Sequence, residues 1–119
     1  MNHKRIPEEI LLSLPAYFKP RKNVRPLTVV YQIHGDPELG GTWTVRIDER
    51  TCRVEPGQAE SFDGKLIISI EDYLRVVAGE LPPDYAWNTG RARYIGNFFV
   101  QGELNTHFRL PKGKGIRFI

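Results

Sequence analysis

The sequence predicts an α+β domain built on a five-stranded, mainly antiparallel sheet with helices covering one face. Three observations lead there. Apolar residues recur every four positions at the start of the chain, every two positions between about residues 27 and 55, and at helical spacing again after residue 69. The strands expected in the first half have one apolar and one polar side, so helices must cover the apolar one. The chain has 119 residues, the length of one ordinary domain, and a single domain is expected over 1–119.

Ile6, Ile10, Leu14 and Phe18, with Leu11 beside them, form a one-sided helical stripe. Pro7 suits a first helical position, and Glu8 and Glu9 suit the positive end of the helix dipole. Pro15 should end or kink this helix, because the residue before a proline avoids helical angles. Residues 19–26 are basic, proline-rich and without period, so they read as a loop. Leu27, Val29, Tyr31 and Ile33, then Trp43, Val45 and Ile47, then Cys52 and Val54, mark three strands of a meander. Thr44, Arg46 and Arg53 fall on the opposite, polar face, where Val30 is a misfit.

A fourth strand over 65–69 turns Leu66 and Ile68 inward. Ser69 is placed as an N-cap, with Asp72 three residues on, for a helix carrying Ile70, Tyr73, Leu74 and Val77 that Gly79 stops. Pro82, Pro83 and Asp84 open a short helix through Trp87, closed by Gly90. Ala92 and Tyr94 face inward on a fifth strand, with Arg91 and Arg93 on the other side. Asn97 caps a last helix carrying Phe98, Phe99, Val100, Leu104 and Phe108. Gly102 weakens that helix by about 1 kcal/mol relative to alanine. Residues 109–119 are a basic tail.

Several chemistries have no foothold. The sequence has no GxGxxG, no GxxxxGK[ST] and no GxSxG. The acidic pairs Asp48–Glu49 and Glu71–Asp72 serve as a turn and a helix start, so no catalytic residue and no cofactor are expected. Cys52 is the only cysteine, and His3, His34 and His107 are scattered, so neither a disulfide nor a metal site is expected. No apolar run approaches the roughly 20 residues of a membrane span. The basic start is followed by Glu8 and Glu9 rather than a signal core, which predicts a cytoplasmic protein. Arg91, Arg93 and Tyr94 would point to opposite faces of a strand, which argues against nucleic acid as a partner.

Lys and Arg number 17 against 14 Asp and Glu, and the excess clusters at Lys19, Arg21, Lys22 and Arg25 and again at Arg109, Lys112, Lys114 and Arg117. These are either solvated loops or contacts for an anionic membrane surface, a phosphorylated head group or nucleic acid. The tail, ending on Phe118 and Ile119, is the segment expected either to meet an anionic membrane or to dock on its own domain.

Residues 63–108 carry a more specific pattern. Asp63 and the strand Leu66, Ile67, Ile68 lead into Ser69-Ile70-Glu71-Asp72-Tyr73-Leu74, then Gly79-Glu80-Leu81-Pro82, then Ala86, then Gly90 to Asn97 and an apolar helix. This resembles the sterol carrier protein type-two domain family, and the upstream order of helix, meander and Gly-Thr-Trp turn agrees. The resemblance implies a hydrophobic tunnel between sheet and helices. It also implies binding of sterols, fatty acids, fatty acyl-CoA or other apolar lipids such as isoprenoids. Pro83, Gly102 and the ending from Arg109 onward depart from the family's pattern.

Aromatic residues on the later helices suit such a tunnel as well as they suit a filled core. Tyr73, Leu74, Val77, Trp87, Tyr94, Phe98, Phe99, Leu104 and Phe108 are therefore expected to bind lipid. The function expected is non-catalytic lipid carriage. The alternative is an accessory subunit using the same fold to contact a protein partner in lipid metabolism.

Overall fold

A computed structural model describes residues 7–97, 99, 100, 103, 107 and 108, without the side chain of Pro83. The first helical stripe becomes two short helices, α1 (Pro7–Leu12) and α2 (Leu14–Tyr17). They part at Ser13, whose hydroxyl donates to the Ile10 carbonyl at 2.6 Å, with Pro15 opening the second. Ile10, Leu11 and Leu14 are fully buried, so the break changes the helix direction without losing the apolar face.

The strands are β1 (Leu27–His34), β2 (Gly41–Ile47), β3 (Cys52–Pro56), β4 (Gly64–Ser69) and β5 (Ala92–Gly96), with α3 (Ile70–Val77) and α4 (Pro83–Asn88) between the last two. They form one sheet in the order β3-β2-β1-β4-β5. Neighbours are antiparallel except β1 and β4, which run parallel. Opposed residues share a face, so the register lays out rows across the sheet. One row is Trp43, Tyr31, Leu66 and Tyr94. The next is Val54, Val45, Val29, Gly64 and Gly96. Trp43, Tyr31, Leu66, Val45 and Val29 of these rows join Ile10, Leu11, Leu14, Tyr73, Val76, Val77, Leu81 and Ala86 in one core. The expected strand register and the helix-covered face are therefore both present.

The opposite face is not bare. Val30 and Thr44 are cross-strand partners, both essentially inaccessible to solvent, yet they lie outside the main core. The connection from edge strand β3 to β4 must pass β2 and β1, and it does so over this face. Thr44 Oγ1 donates to the Gly57 carbonyl (2.8 Å) and accepts from Ala59 N (3.0 Å). The crossing ends at Asp63, whose N–H donates to Thr28 O (2.8 Å) and whose Oδ2 accepts from Thr28 N (2.8 Å). Val30, the misfit of the alternation, thus has a cover of its own.

Ser69 caps α3 by accepting from Asp72 N at 3.1 Å. Gly79, at φ 80°, ends the helix, and Glu80 N and Leu81 N both donate to Arg75 O. Of the last helix, one turn is described. Asn97 Oδ1 accepts from Phe99 N (3.0 Å), and Glu103 N donates to Phe99 O (3.2 Å). Phe98, Leu104 and the tail lie outside the described residues.

Candidate functional site

The helix-facing side of β1, β4 and β5 is the interior from which a site can be built. Tyr31 stands at its centre on β1, fully buried, and Tyr94 stands two strands away in the same row. Tyr73 comes down from α3 and is also buried. Burial pushes the Tyr31 phenol well above its usual pKa, and the nearby Tyr73, Tyr94 and Cys52 add to the shift. Tyr31 therefore stays protonated at neutral pH. Burial alone pushes the Cys52 thiol up to about 12.

Over β4 and β5 the sheet surface has no side chains at two opposed positions, Gly64 and Gly96. Gly96 has φ 110°, and a Cβ there would come within 2.5 Å of the Asp63 carbonyl oxygen, so the backbone requires glycine. Gly64 is different. The space its side chain would fill is taken by the Tyr94 hydroxyl. Trp87 of α4 meets the Tyr94 ring edge-on, with centroids 5.9 Å apart. The space left by Gly64 is filled by one tyrosine, and one tryptophan backs it.

Of the residues expected to bind lipid, Tyr73 and Val77 are buried, Leu74 and Trp87 are half-buried against the core, and Tyr94 is half-buried on β5. Phe108 is also buried in the same core, on its α2 side. It bridges to Phe18 just after α2, the helix that packs on β3, whereas α4 packs on β5. Phe99 corrects the expectation outright, being 80% exposed. The Asn97 side chain fixes the first turn so that Val100, not Phe99, takes the inward position and is fully buried. Arg91 is a second correction. It precedes β5 and reaches α3, where its guanidinium pairs with Asp72 at 3.2 Å. Tyr31 was legible only as a core residue. A large phenol at the centre of a fully buried strand face was the available sign of a polar spot.

Arg25 holds the rim. Its guanidinium donates to both carboxylate oxygens of Glu103 (3.1 and 3.0 Å) and to Asp63 Oδ1 (3.4 Å). The pairing raises its pKa, chiefly through the hydrogen bond to Glu103. This ties the last helical turn to the start of β4. Among the described residues, no helix is long and apolar enough to cross a membrane, and no group of three His, Cys, Asp or Glu could hold a metal ion.

Comparison with known proteins follows the same outline. The mouse (Mus musculus) peroxisomal multifunctional enzyme type 2 is 34% identical over 89 residues, covering 71% of this chain and 12% of that protein. The chain spans only 12 to 17% of the length of this and two other curated relatives. Among solved structures, palmitated SCP2L2 from Aedes aegypti superposes with a TM-score of 0.63 at 21% identity, covering 92% of this chain and all of that one. A double mutant of the sec-alkyl sulfatase PisA1 carries the fold as 17% of its length, covering 92% of this chain with a TM-score of 0.76 at 14% identity. The sequence profile of the SCP-2 sterol transfer family matches residues 13–109, and the chain belongs to that family.

Proposed function

We propose that this chain is a non-catalytic carrier that buries the tail of an apolar lipid between the helix-facing side of its sheet and α3 and α4. The observation that carries this reading is the fit of Tyr94 over Gly64. A close-packed domain does not need a buried strand position without a side chain, filled instead by the phenol of a half-buried tyrosine. If the Tyr94 ring turns aside, the space over Gly64 opens next to Trp87 and joins the interior lined by Tyr73, Leu74 and Val77. Burying a lipid tail there yields roughly 25 cal/mol per Å² of apolar surface removed from water.

The ligand classes that fit are fatty acid, fatty acyl-CoA, sterol and isoprenoid. The palmitate on the Aedes aegypti structure supports a fatty-acyl chain among them. The phenol hydroxyls of Tyr31, Tyr73 and Tyr94 suit an oxygen of the lipid as hydrogen-bond donors. The cell compartment proposed is the cytoplasm.

Titration with a fluorescent fatty acid tests the reading, with Trp87 as the reporter. Trp43 is the other tryptophan and is nearly inaccessible to solvent, so the signal is assigned by repeating the titration on Trp87→Phe. Saturable binding with quenching that disappears in Trp87→Phe is expected. Absence of saturable binding, together with no lipid in the native mass spectrum of the purified protein, would overturn the proposal.

A second reading, an accessory module serving a lipid-pathway enzyme, draws on the small share of each curated relative that this chain matches. It predicts a protein partner that co-purifies with the chain and still binds when the interior is filled by Gly64→Leu.

A further inference from the structure

The β2–β3 turn and the loop after α2 enclose a cleft that the apolar interior does not use. Arg21 N donates to Glu49 O (3.2 Å), and Asn23 N donates to Glu49 Oε2 (2.9 Å). Asn23 adopts φ 62°, a left-handed conformation that asparagine tolerates better than most residues, and so turns the loop back toward Glu49. The result is a half-open cavity of about 420 Å³ between Pro20, Arg21, Lys22, Asn23, Glu49 and Arg50. Lys22 stands on the loop wall and Arg50 on the turn wall.

The charges on these walls do not cancel. Lys22 and Arg50 line the cleft with a single carboxylate, that of Glu49, so the cations outnumber it even with Arg21 left aside. The neighbouring Asp48 is committed to the turn, where it accepts from Arg50 N (2.8 Å), Thr51 N (2.8 Å) and Thr51 Oγ1 (3.1 Å). Among the described residues, Arg25, Arg46 and Arg91 have acidic partners, while neither Lys22 nor Arg50 makes an ion pair. The neighbouring His107, whose carbonyl accepts from Lys19 N, reports the same field. Its pKa is lowered by burial first, then by the charges of Arg21 and Lys19, against an opposing pull from Glu103.

We infer that this cleft binds the phosphate group of an anionic ligand, at a site separate from the apolar interior. A carboxylate offers two coplanar oxygens and would duplicate the one Glu49 already supplies. A phosphate offers oxygens in three directions and can be held from both walls at once, by the Arg50 fork on one side and the Lys22 ammonium on the other. Backbone N–H groups of Arg21 and Asn23 bond Glu49, which holds the two walls together without a ligand. The phosphate has two sources that share this chemistry, a soluble phosphorylated molecule and the head group of an anionic phospholipid.

The test records backbone amide shifts of the full chain in two arms. One arm uses inorganic phosphate. The other uses vesicles of phosphatidylcholine with one-third phosphatidylglycerol, with pure phosphatidylcholine as reference. Shifts or broadening at Asn23, Glu49 and Arg50 in the phosphate arm support a soluble ligand. The same residues responding only to the anionic vesicles support a head group. In either case Lys22→Gln with Arg50→Gln should weaken binding about tenfold or more, consistent with loss of hydrogen bonds to a charged group. Arg93→Gln, on the opposite side of the sheet at β5, should not weaken it. All three side chains are exposed, so an unchanged melting temperature confirms that the variants fold. No response at these amides in either arm, or equal binding by the double variant, overturns the inference. Failure here leaves lipid uptake unaffected, because fatty-acid titration reads Trp87 on the other edge of the sheet.

Discussion

The hydroxyl of Tyr94 occupies the space that a side chain on Gly64 would fill. A methyl group at Gly64 must therefore move the Tyr94 ring, and with it the Trp87 edge contact. Gly64→Ala is expected to cost about 1–3 kcal/mol, the usual range for overpacking a core. Tyr94→Ala alone leaves a void and costs more, about 3–5 kcal/mol by the aromatic-to-alanine precedent. Combined, the two should cost clearly less than their sum, because the alanine methyl enters space that the ring has left. Urea denaturation of the four proteins measures the coupling, and strict additivity would show that the ring does not depend on Gly64.

Ser69→Ala removes the acceptor for Asp72 N at the start of α3. A loss of about 1 kcal/mol is expected, and Ser69→Asp should restore most of it. Thermal denaturation suffices as the readout.

The alkaline limb of stability should belong first to Cys52. Its ordinary pKa of 9.0 rises to about 12 in the folded chain through burial. The unfolded chain therefore loses the thiol proton first as pH rises. Stability from this group is complete below 9.0 and is lost between 9.0 and about 12. Tyr31 is shifted in the same direction from 10.0 and contributes above that pH. Cys52→Ala should flatten the fall just above pH 9, and thiol reagents should modify native Cys52 slowly at neutral pH. Rapid modification of the native protein would contradict its burial.

Arg25→Gln severs the last helical turn from Asp63. Amide exchange at Glu103, which donates to Phe99 O, should speed up, while the amides of β1 and β4 keep their protection. Phe99→Ala, by contrast, should change stability by less than about 0.5 kcal/mol, since its side chain already faces solvent.

What the sequence disclosed follows from how far each signal reaches. Strand alternation and the Ser69 cap are set within a few residues, and both appear where the pattern put them. Val30 broke the alternation because its cover comes from residues 57–63, far along the chain. Thr44 looked like an ordinary polar-face residue for the same reason. Phe99 and Val100 are both apolar and adjacent, so periodicity could not say which would turn inward. The choice falls to the Asn97 side-chain hydrogen bond. Arg91 read as an outward strand residue, yet it sits before β5 begins and its long side chain finds Asp72. The fit of Tyr94 over Gly64 was invisible, since the two meet only once β4 and β5 pair.

The one parallel pairing in the sheet, β1 with β4, is also the seam between two stretches that can organise locally. The meander β1–β2–β3 closes through neighbouring hairpins, and β4, α3, α4 and β5 form a consecutive unit of their own. Joining them demands the long passage over Thr44 and Val30, so the seam is costly to close and is expected to form late during folding. Tyr31 comes from the first stretch, and Tyr73 and Tyr94 come from the second. The interior therefore does not exist in either half. It comes into being with the last strand pair, and any fluctuation that parts β1 from β4 opens it along its whole floor.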